Sequence, residues 1–190
     1  IGEEFFLKIL SLLEDKLGLK KDIKKPIDNL EAENFIHHFL KQIDQYKFKH
    51  ILTRDVAYST ILKSNRKVLH KSVAEVIEEN FPDIIEKFYY ELAVHYDHAQ
   101  NYDKAIDYLE KSGNKFQNLL DMKNALLCYK RIIEIYKDQN INKNETLYLA
   151  QSQLGKIYGF LGKTDKSISL FTSLIDNKDK ISKTILSKIY

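Results

Sequence analysis

Two prolines and six glycines in 190 residues are few for a chain that turns every roughly eight to twelve positions, which disfavours an all-β fold. The single cysteine, Cys128, has no internal disulfide partner, and this fits a reducing, cytoplasmic location. Tryptophan is absent; large core side chains come instead from 12 tyrosines and 10 phenylalanines. No apolar run approaches the roughly 20 residues of a membrane span. The first one, Phe5-Phe6-Leu7-Lys8-Ile9-Leu10, is broken by Lys8 and lacks the basic leader of a secretory signal. What is present is an ordinary globular balance, 44% apolar and 30% charged, able to bury a sizeable core. The chain opens without Met and stops inside a helical pattern over 181–190, so a piece of a longer protein is expected.

The net charge of +3 is unevenly spread. Within 41–71, Lys47, Lys49, Arg54, Lys63, Arg66 and Lys67 outnumber Asp44 and Asp55. Within 72–110 the sign reverses, with Glu75, Glu78, Glu79, Glu86, Glu91 and Asp97 among many acids against Lys87 and Lys104. Two solvated helix faces account for this pattern; an intramolecular or partner contact is the alternative.

Apolar spacing predicts a helix over 4–17 closed by Gly18, a Lys-rich loop over 19–29 containing Pro26, and a second helix over 30–40. Tyr46-Lys-Phe-Lys-His50 alternates aromatic and basic residues, the pattern of one limb of a short β-hairpin. Helices resume at Arg54 and again over 66–79, with Pro82 just beyond. Helix, helix and hairpin is the order of a small winged-helix-like unit. The expected organisation is therefore all-α: a winged-helix-like unit with a short β-hairpin over 1–63, then helical-hairpin repeats over 64–190.

The repeat signal is strongest in the second half. Gly113, Phe116, Ala125 and Tyr129 recur as Gly155, Tyr158, Ser167 and Phe171, each pair 42 residues apart. Leu154-Gly155-x-x-Tyr158 followed by Ser167-x-x-x-Phe171 follows the tetratricopeptide pattern, whose unit is about 34 residues. The polar stretch 138–145 accounts for the surplus as an enlarged loop. Small residues at Gly113 and Gly155 let two helices of a hairpin approach closely, and aromatics fill the gaps between stacked pairs. An earlier copy, Leu92-Ala93-x-x-Tyr96 then Ala105-x-x-x-Leu109, makes the helix from Asp103 to about 120 serve two successive units.

Tyr46-x-Phe48-x-His50-x-Leu52-x-x-Asp55-Val56-Ala57-Tyr58-x-x-Ile61-Leu62, then Arg66-x-x-Leu69-His70, resembles a stretch of signalling proteins that join a class III nucleotide cyclase to an AAA-like STAND ATPase. Leu92 to Tyr96, Lys104 to Leu109 and the opening Ile1-Gly2-Glu3-Glu4-Phe5 are similar to flanking parts of the same region. The resemblance covers roughly 1–136; His37-His38 and the Lys-rich loop have no counterpart in it. It implies a regulatory segment whose catalytic domains lie upstream, one that binds a protein or peptide partner or the parent's own ATPase or cyclase domains. A stand-alone adaptor and, after it, a DNA-binding regulator are the alternatives.

The first helices of the hairpins put Lys87, Tyr90, Asp97, His98, Asn114, Gln117, Lys156 and Phe160 on the expected concave, protein-binding face. No catalytic residue, cofactor, metal or membrane contact is expected. Gly159-Phe-Leu-Gly162-Lys163-Thr164 ends like a phosphate loop, but the motif needs Gly where Ile157 stands, so a helix-to-helix turn is expected. His95-x-x-His98 lacks a third convergent ligand and reads as packing. His50 and His70 read as hydrogen-bonding or packing residues between the first unit and the repeats. Glu31 and Glu33 on the expected second helix oppose contact with phosphates.

Overall fold

A computed structural model of the chain describes residues 4–19, 22–40, 44–142, 144–176 and 186. The opening Ile1-Gly2-Glu3 and, Leu186 apart, the helical pattern over 181–190 lie outside the described residues. The structure is mostly helical with one small antiparallel sheet near its start, and it divides into two compact units, Ile1–Asn101 and Tyr102–Tyr190.

The first unit begins with β1 (Glu4–Phe6) and α1 (Leu7–Leu17), closed by Gly18 in the left-handed conformation. The next elements are α2 (Lys24–Ala32), β2 (Ile36–Leu40) and β3 (Gln45–Phe48). The sheet order is β1-β3-β2, with Phe5 opposite Tyr46 and Ile36 opposite Phe48. Ile27, Ile36 and Tyr46 form its buried core, and the ring of Phe5 stacks on Tyr46 at 5.7 Å.

Three expectations are corrected here. The helix expected over 30–40 is instead the end of α2 and the strand β2: Asn34, at φ 61°, ends the helix, and pairing with β3 takes up Ile36–Leu40. Pro26 marks the first turn of α2 rather than a loop, a position where its missing N–H costs no helical bond. The hairpin gains a third strand, because Glu4–Phe6 pairs with β3 before the first helix begins. The fold is therefore not purely helical.

The unit continues through α3 (Ile51–Ser59), α4 (Lys63–Asn80), a 3-10 segment (Pro82–Phe88) and α5 (Tyr89–His98). Lys16 of α1 pairs with Glu79 at 2.7 Å and Glu75 at 3.2 Å, so part of the acidic block is met from α1.

The second unit contains α6 (Tyr102–Asn118), α7 (Met122–Asp138), α8 (Glu145–Phe160) and α9 (Thr164–Asp176), each packed on the next. A Cβ on Gly113 would sit 2.8 Å from the Tyr129 ring, and one on Gly155 would sit 3.0 Å from the Phe171 ring. The 42-residue recurrence is thus one close helix contact made twice. Left-handed residues follow α6, α7 and α8 at Leu120, Asn140 and Gly162. Gly162 sits in the turn into α9, while Ile157 is buried inside α8, so the phosphate-loop-like stretch is a helix-to-helix turn. The enlarged loop falls between Asp138 and Glu145, where Asn144 caps α8 by accepting from Leu147 N.

Candidate functional site

The second unit holds a cavity of about 300 Å³. Helix α6 supplies Glu110 and Asn114 to its wall, one turn apart; α7 supplies Tyr129 and Ile132; α8 supplies Thr146, Leu149, Ala150 and Gln153. The spacing is the reason these side chains meet, since residues three, four and seven apart share a helix face. Ile132 and Ala150 are buried, Thr146 and Gln153 are partly buried and Asn114 is exposed, so apolar walls lie behind a polar rim.

A polar chain runs along this rim. The Tyr129 hydroxyl lies 2.7 Å from Asn114 Oδ1 and 2.8 Å from Gln117 Oε1, and Gln117 Nε2 donates to Gln153 Oε1 at 3.4 Å. Burial raises the phenol's pKa, and the negative charge of Glu110 raises it further, so Tyr129 keeps its proton as a donor. The same ring is the one pressed against Gly113, which ties the rim to the helix contact behind it.

Of the eight residues expected on the binding face, Asn114 lines the cavity and Gln117 bonds to its rim. Lys156 and Phe160 lie on successive exposed turns of α8 beyond Gln153. Lys87 lies on the 3-10 segment, and Tyr90, Asp97 and His98 lie on α5; all four belong to the first unit. Glu110, Thr146 and Gln153 escaped the sequence reading, and Tyr129 was read there only as a packing aromatic of the repeat. The signal for them was the i, i+4, i+7 row Glu110, Asn114, Gln117 opposite Thr146, Ala150, Gln153.

The first unit carries a second polar chain, built of histidine. His70 of α4 is held by Tyr58 of α3, whose hydroxyl is 2.9 Å from Nε2, and by His95 of α5, whose Nδ1 is 2.9 Å from its own Nδ1. The His98 ring stacks on His70 at 4.6 Å. Arg66 lies over the Tyr58 ring at 4.4 Å and donates to Ile61 O and Ser59 O, closing the end of α3. Burial, with the charges of His98 and Arg66 adding to it, pushes the His70 pKa down to about 3; burial likewise pushes His95 down to about 3. A neutral imidazole donates from one nitrogen and accepts at the other, and that suits a chain with a hydroxyl at one end. His70 thus makes hydrogen bonds of the expected kind, whereas His50 is exposed at the start of α3.

Among the described residues, no group of three or more His, Cys, Asp or Glu is arranged to hold a metal ion, and no helix is long and apolar enough to cross a membrane. Cys128 is fully buried, and burial pushes its thiol up to about 12, far from a reactive thiolate. Comparison with family models, curated proteins and solved structures finds no match to this chain.

Proposed function

We propose that the chain is a non-catalytic, protein-interaction and regulatory segment of a larger signalling ATPase or nucleotide cyclase. In this reading a winged-helix-like unit precedes tetratricopeptide-like repeats. The α6–α8 groove takes an extended segment of a protein partner or of the parent's own upstream domains. The observation that carries the reading is the repeated glycine–aromatic contact, Gly113 on Tyr129 and Gly155 on Phe171, with an amide-lined cavity beside the first of them. Stacked helical hairpins use such close contacts to leave one face open for extended ligands. The link to a signalling parent is supported by the family-like block itself, because Tyr58, Arg66 and His70 from that block lie in one side-chain network.

The coding sequence upstream of Ile1 provides the test. A phosphate loop on a strand-to-helix turn, or a cyclase domain with paired metal-binding carboxylates, is the expected result. A native chain with neither would make the protein a stand-alone adaptor, and ATP turnover by residues 1–190 alone would overturn the non-catalytic reading.

A further inference from the structure

Helix α3 of the first unit is inside out. Ile51, Leu52 and Val56 are 49%, 73% and 66% exposed, whereas Thr53, Arg54 and Tyr58 are partly buried. At helical spacing Ile51, Leu52, Asp55, Val56 and Ser59 share one face, and all five are exposed. No residue of α3 is buried. Polar contacts hold its other side: the Tyr58 hydroxyl bonds to His70, while Arg66 lies over the Tyr58 ring and donates to Ser59 O and Ile61 O. Leu62, the N-cap of α4, adds another aliphatic side chain at 69% exposure. Aliphatic groups turned outward together, with a phenol and a guanidinium turned inward, mark a face that another molecule covers.

Positive charge flanks this helix at both ends. Lys49 precedes α3, and Lys63, Arg66 and Lys67 fall in the first turns of α4. Lys49 bonds to Asn34, Lys67 to Gln100 and Arg66 to backbone carbonyls, all neutral acceptors. None of the four cations has an ion pair among the described residues. Lys63 and Lys67 stand one turn apart and repel each other, with no acid in the first turn of α4. Asp55, the acid on the outer face of α3, is taken by Arg54. The acids further along α4 are engaged elsewhere, Glu75 and Glu79 with Lys16 and Glu78 with the Tyr96 hydroxyl.

Going beyond the groove of the second unit, we propose that the outer face of α3, with Leu62 and the flanking cations, docks an acidic amphipathic helix of a protein partner. An aliphatic strip of about two turns with cations beyond both ends complements an apolar stripe set among Asp and Glu residues. Duplex nucleic acid is read by polar side chains, and Ile51, Leu52 and Val56 offer none. A membrane-surface helix carries Trp or Phe on its apolar side, and the outer face of α3 has neither.

The test is a titration of the ¹⁵N-labelled 190-residue chain with three blocked peptides of about 16 residues. The first carries leucines at i, i+3, i+4 and i+7 spacing among glutamate and alanine. The second is the same composition scrambled, and the third has lysine for glutamate. The first is expected to shift amides over 49–68, leave those over 102–176 in place, and bind about tenfold more tightly than either of the others at low salt. Leu52→Ser combined with Val56→Ser should weaken it about tenfold. Lys63→Gln combined with Lys67→Gln should weaken it about threefold and flatten its salt dependence. All four positions are exposed, so both variants should keep the parent's urea midpoint. Phosphatidylserine vesicles that shift the 49–68 amides where the acidic peptide does not would overturn the proposal in favour of a membrane contact. Equal binding by the scrambled or lysine peptide, shifts confined to 102–176, no binding of any peptide, or an affinity untouched by the Leu52 and Val56 substitutions would also overturn it.

Discussion

Each unit of this protein builds a polar chain around a buried aromatic hydroxyl or imidazole, and the two chains end differently. In the first unit, Tyr58, His70 and His95 bond in sequence across three helices, and burial keeps both imidazoles neutral. In the second, Asn114, Tyr129, Gln117 and Gln153 connect in sequence, and the chain ends at a cavity. Both ring nitrogens of His70 are taken up by protein partners, so the histidine chain acts as a joint. The amide chain runs along the rim of a cavity, so it offers a surface. All six histidines fall at or before position 98, so the histidine chemistry belongs to the first unit.

Acidification gives the largest expected separation of the two. Unfolded histidine takes up a proton near pH 6.5, whereas folded His70 and His95 resist until about 3. The unfolded state therefore binds more protons across that window, and stability falls as pH drops through it. The expected loss between pH 7 and pH 5 is about 2 kcal/mol for each histidine that stays neutral. Hydrogen exchange at the amides of α3, α4 and α5 should speed up accordingly, with α6 to α9 unchanged. Replacing both His70 and His95 with Gln should flatten the response, and equal acceleration in both units would break the comparison.

Gly113→Ala comes next. The new Cβ meets a Tyr129 ring that is buried and held through its hydroxyl, so the ring has no room to move. A net loss of about 2 kcal/mol is expected despite the helix propensity gained, read from urea unfolding. Gly155→Ala faces the half-buried Phe171 ring, which has room to swing, and should cost less than half as much. A larger cost at Gly155 would contradict the view that hydroxyl bonding stiffens the first contact. Tyr129→Phe keeps the ring and removes its bonds to the two amides; a loss of about 1 kcal/mol is expected in the same urea assay. The smallest effect has the opposite sign. Leu120 is 73% exposed at φ 59°, where a Cβ is strained, so Leu120→Gly should stabilise the chain by about 0.5–1 kcal/mol in the same urea assay.

The same contrast separates what the sequence disclosed from what it hid. Long periodic helices such as α4, α6, α7 and α8 and the glycine–aromatic contacts were legible, because local spacing and one small residue determine them. The region around α2 and β2 was not. Ile36-His37-His38-Phe39-Leu40 fits a helix or a strand equally well over five residues, and pairing with Gln45–Phe48 decided it. Glu4–Phe6 became a strand for the same reason. Within the candidate site, Asn114 and Gln117 were legible as outward positions of a repeat helix. Tyr129 was legible only as a core aromatic, since its hydroxyl acquires partners 15 and 12 residues earlier through the docking of α7 on α6.

The central claim is that the groove of the second unit receives a protein segment while the histidine joint does not. Cross-linking mass spectrometry of the full-length protein from its own cells tests this directly, using Lys115 on α6 and Lys156 on α8 as reporters. The account predicts links from both lysines to a partner or to residues outside 1–190, lost when Asn114→Ala is combined with Gln153→Ala and retained in His70→Gln. Links that stay within 102–190, or that survive the double substitution, would contradict it.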